Sequence, residues 1–311
     1  MKVVSLFSGA GGLDLGFVEA GHRIIWANDC FEEAVKTYRY NLGEHIISGD
    51  ITKIDMEDIP NCDIVIGGFP CQGFSVANVN RDESDARNSL YLQLIRVIES
   101  KSPKFFLAEN VKGILSLGKG KVFEMIMKDF SDLGYNVVYK VLNAADYGVP
   151  QRRERVIIVG VRNDLNFEYQ FPEPTHSKNG VVKGTRPWIS VSEALSKYPN
   201  PETDNSLLNH DMSRYKLNFN GYIGHRVLDP DQPAPTVTGR GDERGGVVVL
   251  PHPNSSRRMT CRELAAIQSF PDDYFFIGSK TSIYRQIANA VPPLLAKAVA
   301  EQFNEYNERA E

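Results

Sequence analysis

VVSLFSGAGG, residues 3–12, joins an apolar run of five residues to a loop that contains three glycines. The apolar run is typical of a buried β-strand, and residues 13–20 have the spacing of an amphipathic helix. A glycine loop at this position lets backbone N–H groups approach a ligand at a helix N-terminus. The stretch therefore predicts a strand, a ligand-binding turn and a helix at the start of an α/β sheet.

The same alternation of apolar runs and amphipathic segments continues from residue 2 to about residue 162. This rhythm indicates βαβ units, and we expect a mostly parallel sheet of six or seven strands covered by helices. The amino-acid composition then changes, because residues 163–257 hold ten of the 17 prolines and four of the six histidines. These residues predict a smaller, irregular module rich in β-structure and loops. Helical patterning returns at residues 260–270 and 292–306, so we expect the chain to re-enter the first domain.

The composition is that of an ordinary globular protein, with 42% hydrophobic residues in 311. No apolar run approaches the roughly 18 residues of a membrane span, and the five-residue run near the N-terminus is too short for a signal peptide. The four cysteines have neither disulfide nor metal-site spacing, which favours a reducing compartment. We therefore expect a cytoplasmic protein without metal or membrane contact. A net charge of −4 requires any nucleic-acid contact to come from locally arranged arginines.

A cysteine and a glutamate follow two of the predicted strands. Cys71 lies on the turn GGFPCQGFS, residues 67–75, and Glu109 follows the apolar residues 105–108. Ligands of open α/β sheets bind at the carboxyl ends of strands, so the pair is a candidate nucleophile beside a candidate acid. The alternative for Cys71 is a small buried hydrophobic residue.

The first glycine loop has features of a nucleoside pocket. Asp29 ends the next strand, about 20 residues on, where a carboxylate can bind ribose hydroxyls. The spacing G-x-G-G and a ring at Phe7 that can stack on adenine favour S-adenosylmethionine (AdoMet) over NAD. Asp50 is either an acceptor for the adenine amino group or a helix N-cap.

Eight motifs in order resemble those of the cytosine-C5 DNA methyltransferases: FSGAGGLDLGF, Asn28-Asp29, GDI, GFPCQGFS, ENV, QRRERV, RMTCRELAAIQSFPDDY and QIANAVPP. The resemblance runs from residue 3 to about residue 300. It implies a Rossmann-like, AdoMet-dependent catalytic domain formed by residues 1–162 plus 258–311. It further implies a target-recognition domain at 163–257, with DNA in the cleft between the two. Relatives often have Glu where Asp29 stands and Pro at Phe69 and Ala86.

The resemblance also implies a mechanism. Cys71 adds to C6 of a cytosine flipped out of the duplex, and Glu109, its pKa raised by burial, donates a proton to N3. Arg155 contacts O2, while Arg153 supports the cysteine loop or a phosphate; ion pairing with Glu154 is the alternative for either arginine. The products are 5-methylcytosine and S-adenosylhomocysteine, and no metal is required.

Further residues take their roles from the same resemblance. The loop from Gln72 to Asn88 closes over the flipped base or is an ordinary surface loop. Arg240 and Arg244 reach guanine edges or phosphates, and the alternative for residues 241–244 is a solvated hairpin turn. The cofactor residues are Phe7, Ser8, Gly9, Ala10, Gly11, Gly12, Asn28, Asp29, Asp50, Ile51, Pro70, Asn289 and Ala290, and the DNA contacts are Gln72, Ser75, Arg87, Arg240 and Arg244.

The expected partner is double-stranded DNA, bound by a monomer that is paired with a cognate restriction endonuclease. Three alternatives have different sequence requirements. A tRNA cytosine-C5 methyltransferase relies on a further cysteine in its recognition region, yet no cysteine lies between Cys71 and Cys261. A catalytically inert DNA-binding homologue is opposed by the presence of Cys71, Glu109 and Arg155. A nicotinamide dehydrogenase leaves the Pro-Cys and Glu-Asn-Val motifs unexplained.

Overall fold

The computed structural model describes residues 1–69, 88–204, 206–212, 228–239, 250–253 and 257–306. A seven-stranded sheet lies at its centre, formed by β1 (Lys2–Leu6), β2 (Arg23–Asp29), β3 (Ile46–Ser48), β4 (Ile64–Gly68), β5 (Phe105–Val111), β6 (Tyr135–Asn143) and β7 (Glu154–Arg162). The strand order is β3-β2-β1-β4-β5-β7-β6. The five strands from β3 to β5 run parallel, and β7 is antiparallel to both of its neighbours. The prediction of a mostly parallel sheet is confirmed.

The described residues form eight α-helices, and five of them cover the two faces of this sheet. The eight are α1 (Gly12–Glu19), α2 (Glu32–Leu42), α3 (Asn88–Lys101), α4 (Lys121–Asp132), α5 (Val191–Leu195), α6 (Cys261–Ile267), α7 (Lys280–Asn289) and α8 (Pro293–Glu301). One apolar cluster joins α1, α2 and α8 to the sheet, and a second joins α3 and α4 to its other face. Val3 belongs to the first cluster and Val4 to the second, because successive strand residues point to opposite faces. Within the described ranges, no helix is long and apolar enough to span a membrane.

A third apolar cluster lies outside the sheet. It joins α5, α6 and α7 to Leu228, Ala234, Val237 and Leu250. In the described part of residues 163–257, regular structure is confined to α5, a 3-10 turn at Lys178–Gly180 and the short pair β8 (His176–Ser177) and β9 (Arg186–Pro187). Thus α6 and α7 pack with residues of the predicted recognition domain, whereas α8 packs on α1. The predicted boundaries, 1–162 plus 258–311 and 163–257, stay a prediction.

The strand order creates a crevice at one edge of the sheet. The chain moves outward from β1 to β3 and then returns to β4 on the other side of β1. Ligands of open α/β sheets bind at such a switch point, beyond the carboxyl ends of the strands. The register pairs Leu6 with Gly67 and Gly68 with Glu109, so the glycine loop, the end of β4 and the end of β5 meet there.

Candidate active site

The glycine loop after β1 is held in an unusual backbone conformation. Phe7 has a φ of 57° and Gly9 a φ of 55°, both in the left-handed region. The N–H of Ser8 bonds the carbonyl of Asn28 at 3.0 Å, which ties the loop to β2. No described atom lies within 4 Å of a Cβ added at Gly9, so within the described part of the chain the Gly9 backbone faces open space. The half-buried ring of Phe7 lies directly before this space in the chain.

The far side of the glycine loop packs against the C-terminal motif. A Cβ on Gly12 would lie 2.4 Å from the carbonyl oxygen of Val291 and 3.0 Å from the Cβ of Ala290. The hydroxyl of Tyr274 donates to the carbonyl of Ala10. These contacts bring Ala290 to the glycine loop, although it is more than 270 residues from the loop in sequence. The amide oxygen of Asn289 lies instead 2.7 Å from the position of a Cβ on Gly239. Gly12 permits this close approach because it has no side chain.

Asp29 faces the glycine loop from the end of β2. Its carboxylate accepts hydrogen bonds from the N–H groups of Gly9 (2.8 Å) and Phe31 (2.7 Å). Burial raises the pKa of Asp29 above its ordinary value. The neighbouring Asn28 uses its amide to donate to the carbonyls of Ile47 and Gly49, both at 3.0 Å. Asp29 therefore faces the loop, and Asn28 holds the adjacent strand β3 in place.

Asp50 and Ile51 follow β3. The exposed carboxylate of Asp50 accepts from the N–H (3.0 Å) and the hydroxyl (2.8 Å) of Thr52 and caps a short 3-10 turn. These hydrogen bonds lower the pKa of Asp50. The geometry is that of the N-cap alternative, and a role in adenine binding stays a prediction. Ile51 is buried in the apolar cluster beneath.

Glu109 and Arg155 form an ion pair at the carboxyl end of β5. Arg155 Nε lies 2.7 Å from Glu109 Oε1, and both side chains are about nine-tenths buried, with 10% and 12% exposed. The antiparallel register of β5 and β7 aligns Val111 with Arg155 and so carries the arginine to this edge. Arg155 also donates to the carbonyl of Glu154 at 2.7 Å. The other carboxylate oxygen of Glu109 lies 2.9 Å from the position of a Cβ on Gly68.

The chain that leads to Cys71 is anchored beside this pair. Asn110 donates from its amide to the carbonyl of Phe69 at 2.9 Å, and its oxygen accepts from the N–H of Val111 at 2.8 Å. Phe69 is buried against Tyr91, with ring centroids 5.3 Å apart. The last described residue before the cysteine is therefore held at the end of β4. Pro70, Cys71, Gln72, Ser75 and Arg87 lie outside the described residues, as do Arg240 and Arg244.

Arg153 is a buried cross-link. Its guanidinium donates to the backbone carbonyls of Val237 (3.0 Å), Ala288 (2.7 Å) and Ala290 (3.0 Å). Burial lowers the pKa of Arg153 to about 9, and the nearby charge of Arg155 adds to the effect. The Glu154 carboxylate pairs instead with Lys112 at 2.9 Å. The predicted alternative, in which either arginine pairs with Glu154, is therefore not the arrangement in this structure.

An open cavity of about 480 Å³ lies next to the Glu109–Arg155 pair, a size within the usual range of ligand pockets. Three of its lining residues, Arg152, Glu154 and Arg155, belong to the QRRERV motif singled out from the sequence. The other three are Lys112, Asn143 and Thr236. Lys112 directly follows the Glu109-Asn110-Val111 motif, and that adjacency is the signal that identifies it. Asn143 carries no such signal.

The three described cysteines lie away from this cavity's lining. Burial raises the pKa of Cys62 and of Cys261 to about 12, and it raises the pKa of Cys30 as well. A thiol with a raised pKa is a poor nucleophile at neutral pH, because the thiolate is the reactive form. Among the described residues, no three His, Cys, Asp or Glu side chains are grouped as a metal site.

The sheet order, the glycine loop and the carboxylate at the end of β2 define the class: an AdoMet-dependent methyltransferase fold of the Rossmann-like type. The profile of the C-5 cytosine-specific DNA methylases matches residues 1–305, and the chain belongs to that family. As a member, it is a DNA cytosine-5-methyltransferase.

Known proteins resemble the chain along nearly its full length. The type II methyltransferase M.NgoFVII of Neisseria gonorrhoeae is 42% identical, over 100% of this chain and 89% of that protein. M.BspRI of Lysinibacillus sphaericus, also a type II methyltransferase, is 38% identical over 98% of this chain and 82% of its own length. The solved structure of the S. pombe Dnmt2 methyltransferase superposes with a TM-score of 0.73 at 22% identity, over 100% of this chain and 99% of that one, a likeness of fold alone.

Proposed function

We propose that this protein transfers a methyl group from AdoMet to C5 of a cytosine flipped out of duplex DNA, through a covalent bond between Cys71 and C6. We further propose that it is a monomer and the modification enzyme of a type II restriction-modification pair. The type II methyltransferases that resemble it along the whole chain support the second part.

One observation carries the first part. The paired side chains of Glu109 and Arg155 lie 2.7 Å apart at the sheet edge. At the same edge, Asn110 donates a hydrogen bond to the backbone carbonyl of Phe69, two residues before Cys71. Three different strands thus bring together a carboxyl group, a guanidinium and the start of the cysteine loop. A pyrimidine that is activated by a nucleophile needs all three, because charge develops on the ring as the nucleophile adds.

The residues at the switch point fit AdoMet. Three features suit a nucleoside: the open side of the Gly9 backbone within the described residues, the Asp29 carboxylate 2.8 Å from the Gly9 N–H, and the adjacent Phe7 ring. The raised pKa of Asp29 and its remaining acceptor capacity favour hydrogen bonds from ribose hydroxyls. When bound, AdoMet supplies an electrophilic methyl group. Asn289 and Ala290 would close this pocket from the C-terminal side.

The chain's own residues act on the base. The Cys71 thiolate forms a bond to C6, and electron density moves toward C5, N3 and O2. Glu109 holds or donates a proton at N3, and Arg155 stabilises the charge at O2. After C5 has been methylated, loss of the C5 proton restores the double bond and expels Cys71. The raised pKa values of the three other thiols support Cys71 as the nucleophile.

The test uses a duplex that carries 5-fluorocytosine at the mapped target position. Cys71 can add and C5 can be methylated, but fluorine cannot leave as a cation. We expect a denaturation-resistant complex whose mass equals protein plus oligonucleotide plus one methyl group, crosslinked at Cys71. AdoMet omission should remove the methylated adduct.

Two variants and one substrate complete the experiment. Cys71→Ala should form no adduct, while Cys62→Ala, at the opposite edge of the sheet, should form it normally. A tRNA transcript made in vitro, which carries no modified cytosine, serves as the competing substrate. Turnover of the fluorinated duplex, an adduct with Cys71→Ala, or preferential methylation of the tRNA would each reject the proposal.

A further inference from the structure

Residues 178–186, here named the Val181 loop, expose two apolar side chains. Val181 is 77% exposed and Val182 is 53% exposed. Two adjacent exposed valines are unusual in a loop that lies outside any apolar cluster of the described residues, and exposed apolar groups on a loop often mark an interaction site. The loop connects β8 to β9 and includes the first residue of β9, and these two strands pair in parallel.

The Val181 loop is held rigidly by its own hydrogen bonds. The Ser177 and Thr185 hydroxyls lie 2.6 Å apart, the Val182 N–H donates to the Ser177 hydroxyl at 3.2 Å, and the Thr185 hydroxyl donates to the Val182 carbonyl at 2.7 Å. Asn179 and Gly184 adopt positive φ angles at the two bends. A preformed loop loses little conformational entropy when it binds a partner.

The loop is anchored on the turn that leaves the cavity beside Arg155. Asn143 lines that cavity and caps the turn at 144–147. Asp146 in this turn accepts from the Trp188 indole N–H at 2.8 Å, and its carbonyl accepts from the Thr175 N–H at 2.9 Å. The His176 ring lies 3.1 Å from the position of a Cβ on Gly148. The base of the Val181 loop and the rim of the cavity therefore share one turn.

The charge of the loop identifies its partner. Lys178, Lys183 and Arg186 are exposed, and residues 178–186 contain no acidic residue, although the whole chain has a net charge of −4. None of the three cations has a salt-bridge partner within the described ranges. A rigid surface with three exposed cations around an apolar tip suits a polyanion that also has apolar surfaces. Duplex DNA offers phosphates together with sugars and thymine methyl groups.

We infer that the Val181 loop binds the DNA duplex beside the target cytosine, with its three cations on phosphates and its two valines on sugar or base edges. The inference rests on the proposed function, since it places the duplex across the adjacent cavity. It adds a contact surface that is separate from the residues acting on the base. Lys178, Lys183 and Arg186 are positioned to fix the register of the duplex.

The test measures how the affinity of the protein for a fluorescent duplex containing the mapped site depends on salt concentration. Fluorescence anisotropy gives the affinity, with S-adenosylhomocysteine present. Each phosphate contact contributes about 0.9 to the slope of log K against log salt, so Lys178→Ala/Lys183→Ala/Arg186→Ala should flatten the slope by about 2 to 3. Between 50 and 200 mM salt, the wild type should lose roughly 40-fold more affinity than this variant. Val181→Ser/Val182→Ser should weaken binding at every salt concentration with the slope unchanged.

A charge-matched control separates local contact from net charge. Lys36→Ala/Lys101→Ala/Lys128→Ala removes the same three charges from α2, α3 and α4, and we expect the wild-type slope. Thermal melting checks that all variants fold. If the loop variant behaves like this control while the wild type still methylates and binds in a salt-dependent manner, the inference fails and the proposed function stands. If the wild type itself neither binds nor methylates duplex DNA, the proposed function fails.

Discussion

At the residue scale, Gly68 controls the position of the Glu109 carboxylate. It is the last residue of β4 and is paired with Glu109 in the register, and a Cβ at Gly68 would lie 2.9 Å from Glu109 Oε2. The backbone at Gly68 is not in the left-handed region, so an alanine there is not strained by its φ. Among the described residues, its one close contact is with the end of a side chain, which can move.

We therefore expect Gly68→Ala to impair catalysis more than folding. The added methyl group should push Glu109 away from its place beside Arg155, and a displacement of this kind costs about 10- to 100-fold in kcat. Single-turnover methylation gives the rate, and thermal melting gives the stability.

Gly113→Ala is the matched control, because no described atom lies within 4 Å of a Cβ there and the residue lies just beyond β5. It should keep the wild-type rate. An unchanged rate in Gly68→Ala would contradict the assignment of Glu109 to the reacting base.

At the element scale, the contact between α1 and α8 closes the chain on itself. A Cβ on Gly16 would lie 2.4 Å from the Cβ of Ala296, 2.5 Å from the N of Lys297 and 2.7 Å from the O of Pro293. Two of these atoms belong to the backbone and cannot move independently of the helix. The His22 ring further bonds the Ala300 carbonyl at 2.9 Å. The return of the C-terminal helix therefore depends on the missing side chain of Gly16.

Gly16→Ala should lower the free energy of unfolding by about 1 to 3 kcal/mol, the usual cost of overpacking. Urea titration measures the change. Adding Ala296→Gly removes the nearest atom, so the double variant should lose less stability than the sum of the two single variants. Simple additivity of the two losses would show that α8 does not approach α1 this closely.

At the scale of the whole molecule, a buried hydrogen-bond network supports the glycine loop from below. Ser5 and Tyr38 both donate to the Asp14 carboxylate at 2.7 Å, and Ser8 donates to Ser5 at 2.9 Å. His45 lies 3.0 Å from the Tyr38 hydroxyl. Burial raises the pKa of Asp14 from 3.8 to about 6, against the opposing effect of the hydrogen bonds.

This raised pKa predicts a pH-dependent stability with a definite sign. Between about pH 4 and pH 6 the folded protein holds a proton on Asp14 that the unfolded chain has released. The Asp14 contribution to the free energy of unfolding therefore falls as pH rises through that window, by up to about 3 kcal/mol.

Asp14→Asn removes this titration while keeping the shape of the side chain. We expect the wild type to lose stability relative to Asp14→Asn from pH 4 to pH 7 in urea titrations. Burial lowers the pKa of His45, and this residue titrates in both proteins. Its contribution therefore cancels when the free energies of unfolding of the two proteins are subtracted. Parallel pH profiles for the two proteins would disprove the contribution of Asp14.

The sequence by itself determined the parts of this protein that are encoded locally. Apolar runs marked the strands because both faces of a parallel sheet are covered, so burial is continuous along each strand. Glycine and polar residues at the strand ends marked Gly9, Asp29 and Glu109 as a ligand edge, since parallel strands present their carboxyl ends together. Ordered motifs predicted the family, and that prediction is confirmed.

The tertiary structure alone decided how distant segments meet. Arg153 donates to carbonyls 84 to 137 residues away, and nothing in its local sequence distinguishes this cross-link from a phosphate contact. The antiparallel placement of β7 between β5 and β6 brings Arg155 to Glu109, yet the apolar pattern of β7 is the same as that of a parallel strand. Local periodicity records whether a residue is buried. It does not record its neighbours, because these depend on the packing of the whole chain.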